Sequence, residues 1–406
     1  MTDVPAPLAQ ARAAVADAVR RRFDDLTSLS HELHDDPEVA WQETRAAARV
    51  SDLLLQNGFA VSDGAYGIDT AVEATSGHGD LTVTIAAEYD ALPGLGHACG
   101  HNTMAAMSVG AAIALATVAD DAGLRVKLLG TPAEERGGGK IALLKAGAWE
   151  DCDFSLMVHA MGGVDVPAGA FAYTAVDRFD VTFTGRASHA AAAPQAGINA
   201  LSAVTVTLTA LGLLRQELPP GVNLNPIVID GGTVTNVIPE HAVVGMEVRA
   251  ASLHDWRQAK KRVLDCFQAG ATASGCEWSW EAVEPPYAPV QNDPMLSELW
   301  NENLRATGRT LFDVQLGGGS TDMGNVTQVV PGLHPTIAYV GEHVVPHTAA
   351  FTPSTVSPAA DQAIVDAATS MAWTVLDVAL DPERRKHFQD RRAARTPGST
   401  TVTLEA

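Results

Sequence analysis

Basic residues are the scarce chemistry of this 406-residue chain. Lys and Arg number 27 against 48 Asp and Glu, giving a formal net charge of −21. Phosphate binding needs a basic surface, so nucleic acid is excluded as a partner. A small substrate is not excluded, because a pair of divalent ions would make a local pocket cationic. Cysteine is sparse too. Cys99, Cys152, Cys266 and Cys276 are scattered and lack the spacing of a secreted disulfide framework. Long apolar runs are missing: the stretch around Ala105–Ala119 is Ala-rich and too short to span a bilayer. No membrane partner is therefore expected. Met1-Thr-Asp-Val-Pro carries no basic segment leading into an apolar one. The expectation is a chain without a signal peptide, located in the cytoplasm.

What is present is core material. Hydrophobic residues make up 46% of the chain, and the length suits two domains. Helical spacing runs through residues 8–58 (Ala13, Val15, Val19, Phe23, Leu29, Leu33) and breaks at Asp36-Pro37. Strands are expected at Leu81–Tyr89, Leu124–Gly130 and Phe154–His159, with helices at Thr103–Val118 and Lys140–Ala146 between them. That alternation indicates an α/β layer with a mostly parallel central sheet. From about residue 177 the order becomes strand 179–185, helix 198–217, strands 223–230 and 242–250, helix 254–273 and strand 277–283. This β-α-β-β-α-β order suits a ferredoxin-like unit. The α/β pattern resumes with helix 294–307, strand 336–340 and helix 357–380. We expect a discontinuous catalytic domain, 1–176 and 289–381, a lid domain inserted at 177–288, and a frayed tail over 382–406.

Four polar clusters lie just after expected strands or in loops beside them. In Glu88-Tyr-Asp90-Ala-Leu-Pro-Gly-Leu-Gly-His97-Ala-Cys99-Gly-His101, a thiol and an imidazole one glycine apart are good ligands for a borderline metal. Glu88 and Asp90 upstream could orient a ligand imidazole. In Thr131-Pro-Ala-Glu134-Glu135-Arg-Gly-Gly-Gly139, one carboxylate can bind metal while the other takes a proton from an activated water. Taken alone, the pair reads as an ordinary acidic turn. His159 ends an apolar strand, where open α/β sheets place their sites. His347 sits in Val344-Val-Pro-His-Thr-Ala-Ala-Phe351, with His343 competing for the same role. Together the clusters suffice for a two-metal hydrolytic site. In the inserted segment, His189, Asn236 and Arg249 could hold a carboxylate and polarise a carbonyl. Alone they read as a capping His, a turn Asn and a surface Arg.

These motifs, with the early HELHDDPE (His31–Glu38), EYDALPG, HACGHN, GTPAEE, GRASHAAAAP, TNVIPE and PHTAAF, resemble metallopeptidase family 20. The likeness runs from about residue 25 to 380. It looks closest to the amidohydrolase branch of aminobenzoyl-glutamate, hippurate, auxin-conjugate and basic-dipeptide hydrolases. The resemblance implies that Cys99, His101, Glu135, His159 and His347 bind two divalent ions (zinc or manganese, with cobalt a further candidate), with Cys99 bridging. It implies Glu134 as general base and acid, Asp90 as a catalytic-site carboxylate, and His189 steadying the oxyanion. Asn236 and Arg249 would bind the substrate, and the lid would mediate a homodimer. The expected reaction is hydrolysis of a small N-acyl amino acid, an aminobenzoyl-glutamate-like conjugate or a dipeptide. Rivals are an unusual amide, deamination of an aromatic amine, and a non-catalytic metal- or ligand-binding protein. Departures from the branch are Asn102 where many members have Asp, Glu88-Tyr-Asp90 for Asp-Met-Asp, and Gly319-Ser-Thr-Asp322 for the usual Glu-Asp-Phe.

Overall fold

The computed structural model describes residues 5–341, 344–396, 398–399 and 404. The chain divides into two compact units, one holding residues 1–172, 290–317 and 321–403, the other 173–289, 318–320 and 404–406.

A six-stranded sheet forms the centre of the first unit. Its spatial order is Ala60–Asp63, Val72–Ser76, Leu124–Thr131, Leu81–Glu88, Phe154–Leu156 and Gly332–Leu333. Leu124–Thr131 and Leu81–Glu88 pair in parallel, as do the last three strands with one another. The first two strands add antiparallel pairings. All eight residues of Leu81–Glu88 are buried, as expected for a strand covered on both faces. The helix His101–Ala116 is likewise buried all round, from His101 to Leu115. The long helix Pro358–Ala379 packs against it.

Two expectations need correction. Phe154–His159 is not one strand. Phe154–Leu156 pairs with Gly332–Leu333, and a second strand, His159–Gly162, pairs with Thr336–Val340. His159 therefore opens a strand instead of closing one. The cause lies in the partner: Pro335 separates its two strands and has no N–H to donate, so the ladder breaks there. The expected fraying from 382 also fails at its start, because Pro382–Ala393 is a helix. The Asp381 side chain caps the amides of Glu383 and Arg384, and Pro382 supplies a preformed first turn. Phe388 is fully buried, its ring 4.9 Å from that of Phe154.

The second unit has one four-stranded antiparallel sheet, ordered Asn223–Asp230, His241–Ala250, Ala175–Thr184 and Glu277–Ala282, with helices Ala200–Leu214 and Leu253–Ser274. In order of appearance the strands lie 2-3-1-4, the ferredoxin-like arrangement. Ala242, Val244, Met246, Val248 and Ala250 are buried at a period of two. Lys260 is buried with its ammonium 2.8 Å from Asp177 and 4.5 Å from the Trp280 ring centre. Among the described residues no single helix is long and apolar enough to cross a membrane.

Removing the Phe388 ring would leave a large cavity against the sheet. Phe388→Ala should lower unfolding free energy by about 3–5 kcal/mol. A urea titration measures it, and a loss below about 1 kcal/mol would mean the C-terminal helix is not part of the core.

Candidate metal centre

The parallel strands deliver the polar clusters to one end of the sheet. Glu88 is the last residue of Leu81–Glu88, and Thr131 is the last of Leu124–Thr131. Carboxyl ends of adjacent parallel strands are where open α/β sheets leave a crevice. Gly100 turns the chain from Cys99 into the helix at His101, with φ of +89°. A Cβ there would come within 2.6 Å of the Ala160 Cβ and 2.7 Å of the Tyr339 hydroxyl. Only glycine fits both the conformation and the space. Cys99 thus stands just before the N-terminus of a long helix.

The side chains then converge. Cys99 Sγ is 3.6 Å from His159 Nε2. His101 Nδ1 is 2.8 Å from the Asp90 carbonyl oxygen and 3.1 Å from Asp90 Oδ1, which turns its other nitrogen inward. His101 Nε2 lies 3.2 Å from Glu88 Oε2 and 3.9 Å from Glu134 Oε2. His347 Nε2 is 3.4 Å from Glu135 Oε2. Ligand atoms of Cys99, His101 and His159 lie within 4.8 Å of one another, as do those of Cys99, Glu135 and His347, and those of His101, Glu134 and Glu135. Cys99 belongs to two of these groups. Asp90 accepts the Glu135 amide at 2.9 Å, so it ties the Glu134-Glu135 loop to His101. His343 lies outside the described residues.

Sequence reasoning missed the counter-charge. Lys140 is fully buried and donates to Glu88 Oε1 and, at 2.7 Å, to Asp322 Oδ1. Its backbone N–H donates to Asp322 Oδ2 at 2.8 Å. A lysine after three glycines carries no local sign of this role. Asp322 stood out only as a departure from the branch pattern.

Electrostatics in this pocket are lopsided. Burial, then the charges of Glu88, Glu135 and Asp322, push the Glu134 carboxyl well above its usual range. Burial raises Glu135 to about 7 and Asp322 to about 6. Burial also raises the Cys99 thiol and lowers His159 to about 4. Burial opposes charge on His101, but Cys99, Glu88 and Asp90 outweigh it and raise its pKa. Glu135 Oε1 is buried and makes no hydrogen bond, and His101 Nε2 and Glu88 Oε2 make none beyond their contact with each other. Buried polar atoms left without hydrogen bonds are costly. A thiol, imidazoles and carboxylates converging on one space, which shed their protons on binding a cation, fit divalent cations.

In the second unit, Ser188–His189 pairs with Val237–Ile238, and the Ala190 amide donates to the Asn236 carbonyl at 2.9 Å. His189 and Asn236 are thereby neighbours. His189 Nδ1 accepts the amides of Ala191 and Ala192 at 3.2 and 3.1 Å, so the neutral ring carries its proton on Nε2. Arg249 gives Nε to Glu247 at 2.8 Å and Nη1 to Ser320 at 2.9 Å. Its guanidinium is therefore already held in an ion pair.

Residues 176–273 match the peptidase dimerisation domain of metallopeptidase family 20. Over 401 residues the chain is 36% identical to Xaa-Arg dipeptidase of Mus musculus, covering 94% of this chain and 92% of that protein. It is 28% identical to one of the p-aminobenzoyl-glutamate hydrolase polypeptides of Escherichia coli K12, over 63% of this chain and 57% of that one. A dinuclear metal-binding peptidase of family 20 from Bacillus subtilis superposes with a TM-score of 0.68 at 21% identity, covering 88% of this chain and 99% of that one.

Lys140→Met should leave Glu88 and Asp322 buried and uncompensated. Chelator-treated protein should lose about 3–5 kcal/mol in urea unfolding. A change under about 1 kcal/mol would mean that Lys140 does not neutralise the cluster.

Proposed function

The chain belongs to metallopeptidase family 20, and on that premise we propose that it cleaves dipeptides, above all those ending in a basic residue, with two divalent ions held by Cys99, His101, Glu135, His159 and His347. It is a metal-dependent hydrolase acting on the amide bonds of dipeptides and conjugates. The observation that carries the metal assignment is the convergence of ligand atoms of Cys99, His101 and His159, and of Cys99, Glu135 and His347, each group within 4.8 Å. The preference for dipeptides over N-acyl conjugates rests on the near-complete coverage of the Xaa-Arg dipeptidase. Zinc suits the thiolate and manganese the carboxylates, so these two are the proposed ions.

Bound in this pocket, such ions would supply Lewis-acid polarisation of the scissile carbonyl and a water acidic enough to react near neutrality. Glu134 performs the proton transfers: it takes the proton of the attacking water and returns it to the leaving amine. Its carboxyl is pushed up first by burial and then by the neighbouring carboxylates, and divalent ions held there would offset both. Asp90 holds the tautomer and orientation of His101. His189, with its proton on Nε2, is the donor proposed for the developing oxyanion. Asn236 and Arg249 are proposed to bind substrate, Arg249 by exchanging Glu247 for the substrate carboxylate.

A homodimer is part of this reading. Among the described residues, Asn223–Asp230 pairs on one side only, with His241–Ala250, and exposes Ile227, Val228 and Ile229. Leu213 on the neighbouring helix is 72% exposed. An apolar, one-sided edge strand invites a second copy.

Two measurements test the proposal. Glu134→Gln should lower kcat by about 10²–10⁴-fold while metal content stays that of the parent. Loss of metal in that variant would contradict the separation of roles between Glu134 and Glu135. In sedimentation velocity the parent should run as a dimer, and Ile227→Lys with Ile229→Lys as a monomer. A parent that is already monomeric would overturn the assembly.

A further inference from the structure

The segment between the helices Phe23–Asp35 and Thr44–Gln56 has no part in the chemistry above, yet it contains an unusual construction. Glu43 occupies the position preceding Thr44–Gln56 but makes no capping bond to that helix. Glu38 does the capping instead, accepting the Arg45 and Ala46 amides at 2.7 and 2.8 Å. Glu38 is itself moored, since its carbonyl accepts the Ala91 amide at 2.8 Å beside Asp90. The Glu43 carboxyl is fully buried and reaches 90 positions along the chain, where its Oε1 accepts the Ala133 amide at 2.8 Å. The same oxygen accepts the Trp41 amide at 3.0 Å.

Both of these amides belong to strained residues. Trp41 has φ of +66° and Ala133 has φ of +57°, a region that residues with a Cβ seldom occupy. Such conformations persist only where the surroundings impose them, and they concentrate at functional sites. Ala133 directly precedes Glu134. On the other side of Glu134, the Glu135 amide is held by Asp90 Oδ2 at 2.9 Å. The proton-transfer residue thus sits between two backbone amides, each seized by a different buried carboxylate. The far end of the loop is braced too: a Cβ at Gly137 would come within 2.4 Å of Trp41 Nε1, so the indole lies against that glycine.

We propose that Glu43 is a positioning residue, which imposes the left-handed turn at Ala133 and thereby aims Glu134 into the metal pocket, with Trp41 as the strut that keeps the loop's glycine end in place. This rests on the reading of Glu134 as the proton-transfer group. The side-chain hydrogen bonds of Glu43 among the described residues go to the Trp41 and Ala133 amides, not to the residues assigned to metal. Its contribution is the orientation of a neighbour, and displacements of about 1 Å in such a group can cost about 10²-fold in rate.

Glu43→Met keeps the length and volume of the side chain but removes the acceptor. Glu43→Gln keeps the acceptor. Burial and the charge of Asp90 push the Glu43 carboxyl up to about 7, so a neutral amide is a fair mimic. Each variant would be assayed for dipeptide turnover, metal content and hydrogen exchange over residues 131–139, with Glu134→Gln as reference. Glu43→Met should lower kcat by about 10²-fold, leave KM within about threefold and retain metal. Its amide at Ala133 should exchange at least about tenfold faster, also in the metal-free protein. Glu43→Gln should hold kcat within about threefold and leave exchange unchanged. Parent-like exchange or turnover in Glu43→Met overturns the proposal. So does a folded Glu43→Gln whose kcat falls by about 10²-fold, and that result decides even if the methionine variant fails to fold. Full activity in Glu134→Gln would instead overturn the assignment of Glu134 and leave the exchange result to decide the role of Glu43 in shaping the loop.

Discussion

Glu88, Asp90, Glu134, Glu135 and Asp322 share a space from which water is largely excluded, together with the Cys99 thiol. Two like charges 4 Å apart repel by about 4 kcal/mol at an effective dielectric of about 20. Such a cluster is untenable unless cations stand among the carboxylates or some of them stay protonated. Lys140 supplies one fixed cation, bonded to Glu88 and Asp322. Burial first, and neighbouring carboxylates after it, push Glu134, Glu135 and Asp322 upward. Divalent ions held there would complete the balance. The neighbouring framework serves to hold this unfavourable arrangement together.

The framework does so with elements that do not yield. A buried strand brings Glu88 forward, a second brings the Glu134 loop, and a helix buried from end to end starts at His101. Loop positions are then fixed by side-chain acceptors on backbone amides: Asp90 on Glu135, Glu43 on Ala133, Asp322 on Lys140. Left-handed backbone at Ala133 and His347 lies beside or within the proposed site. Strain held at a site by a rigid surround is the usual sign that geometry there matters more than local stability. In the second unit, by contrast, His189 and Asn236 stand on short exposed strands or directly beside them.

Much of this was legible in the sequence because the signals were periodic or clustered. Alternation in Ala242–Ala250 and the β-rich, largely apolar run of Leu81–Glu88 reveal their environments directly. Cys99, His101, Glu134 and Glu135 stood out as clusters set just after expected strands, although Glu134-Glu135 taken alone reads as an ordinary acidic turn. Lys140 and Glu43 did not, since a lone lysine after glycines or a glutamate before a helix is ordinary, and only the tertiary fold brings partners 182 and 90 positions away. The division of Phe154–His159 into two strands also escaped, because the cause sits in Pro335 on the partner. The helix Pro382–Ala393 was hidden by its charge: it is held by one buried ring and by Arg391 and Arg392 pairing with Asp293 and Asp153.

The central claim is that the buried acidic cluster exists to hold divalent cations, and thermal unfolding of chelator-stripped protein tests it most directly. Added zinc or manganese at about 1,000 times its Kd should stabilise the fold by about 4 kcal/mol and raise Tm by several degrees. In Glu135→Ala most of that increase should vanish. A stripped protein whose Tm does not move with either ion would contradict the account.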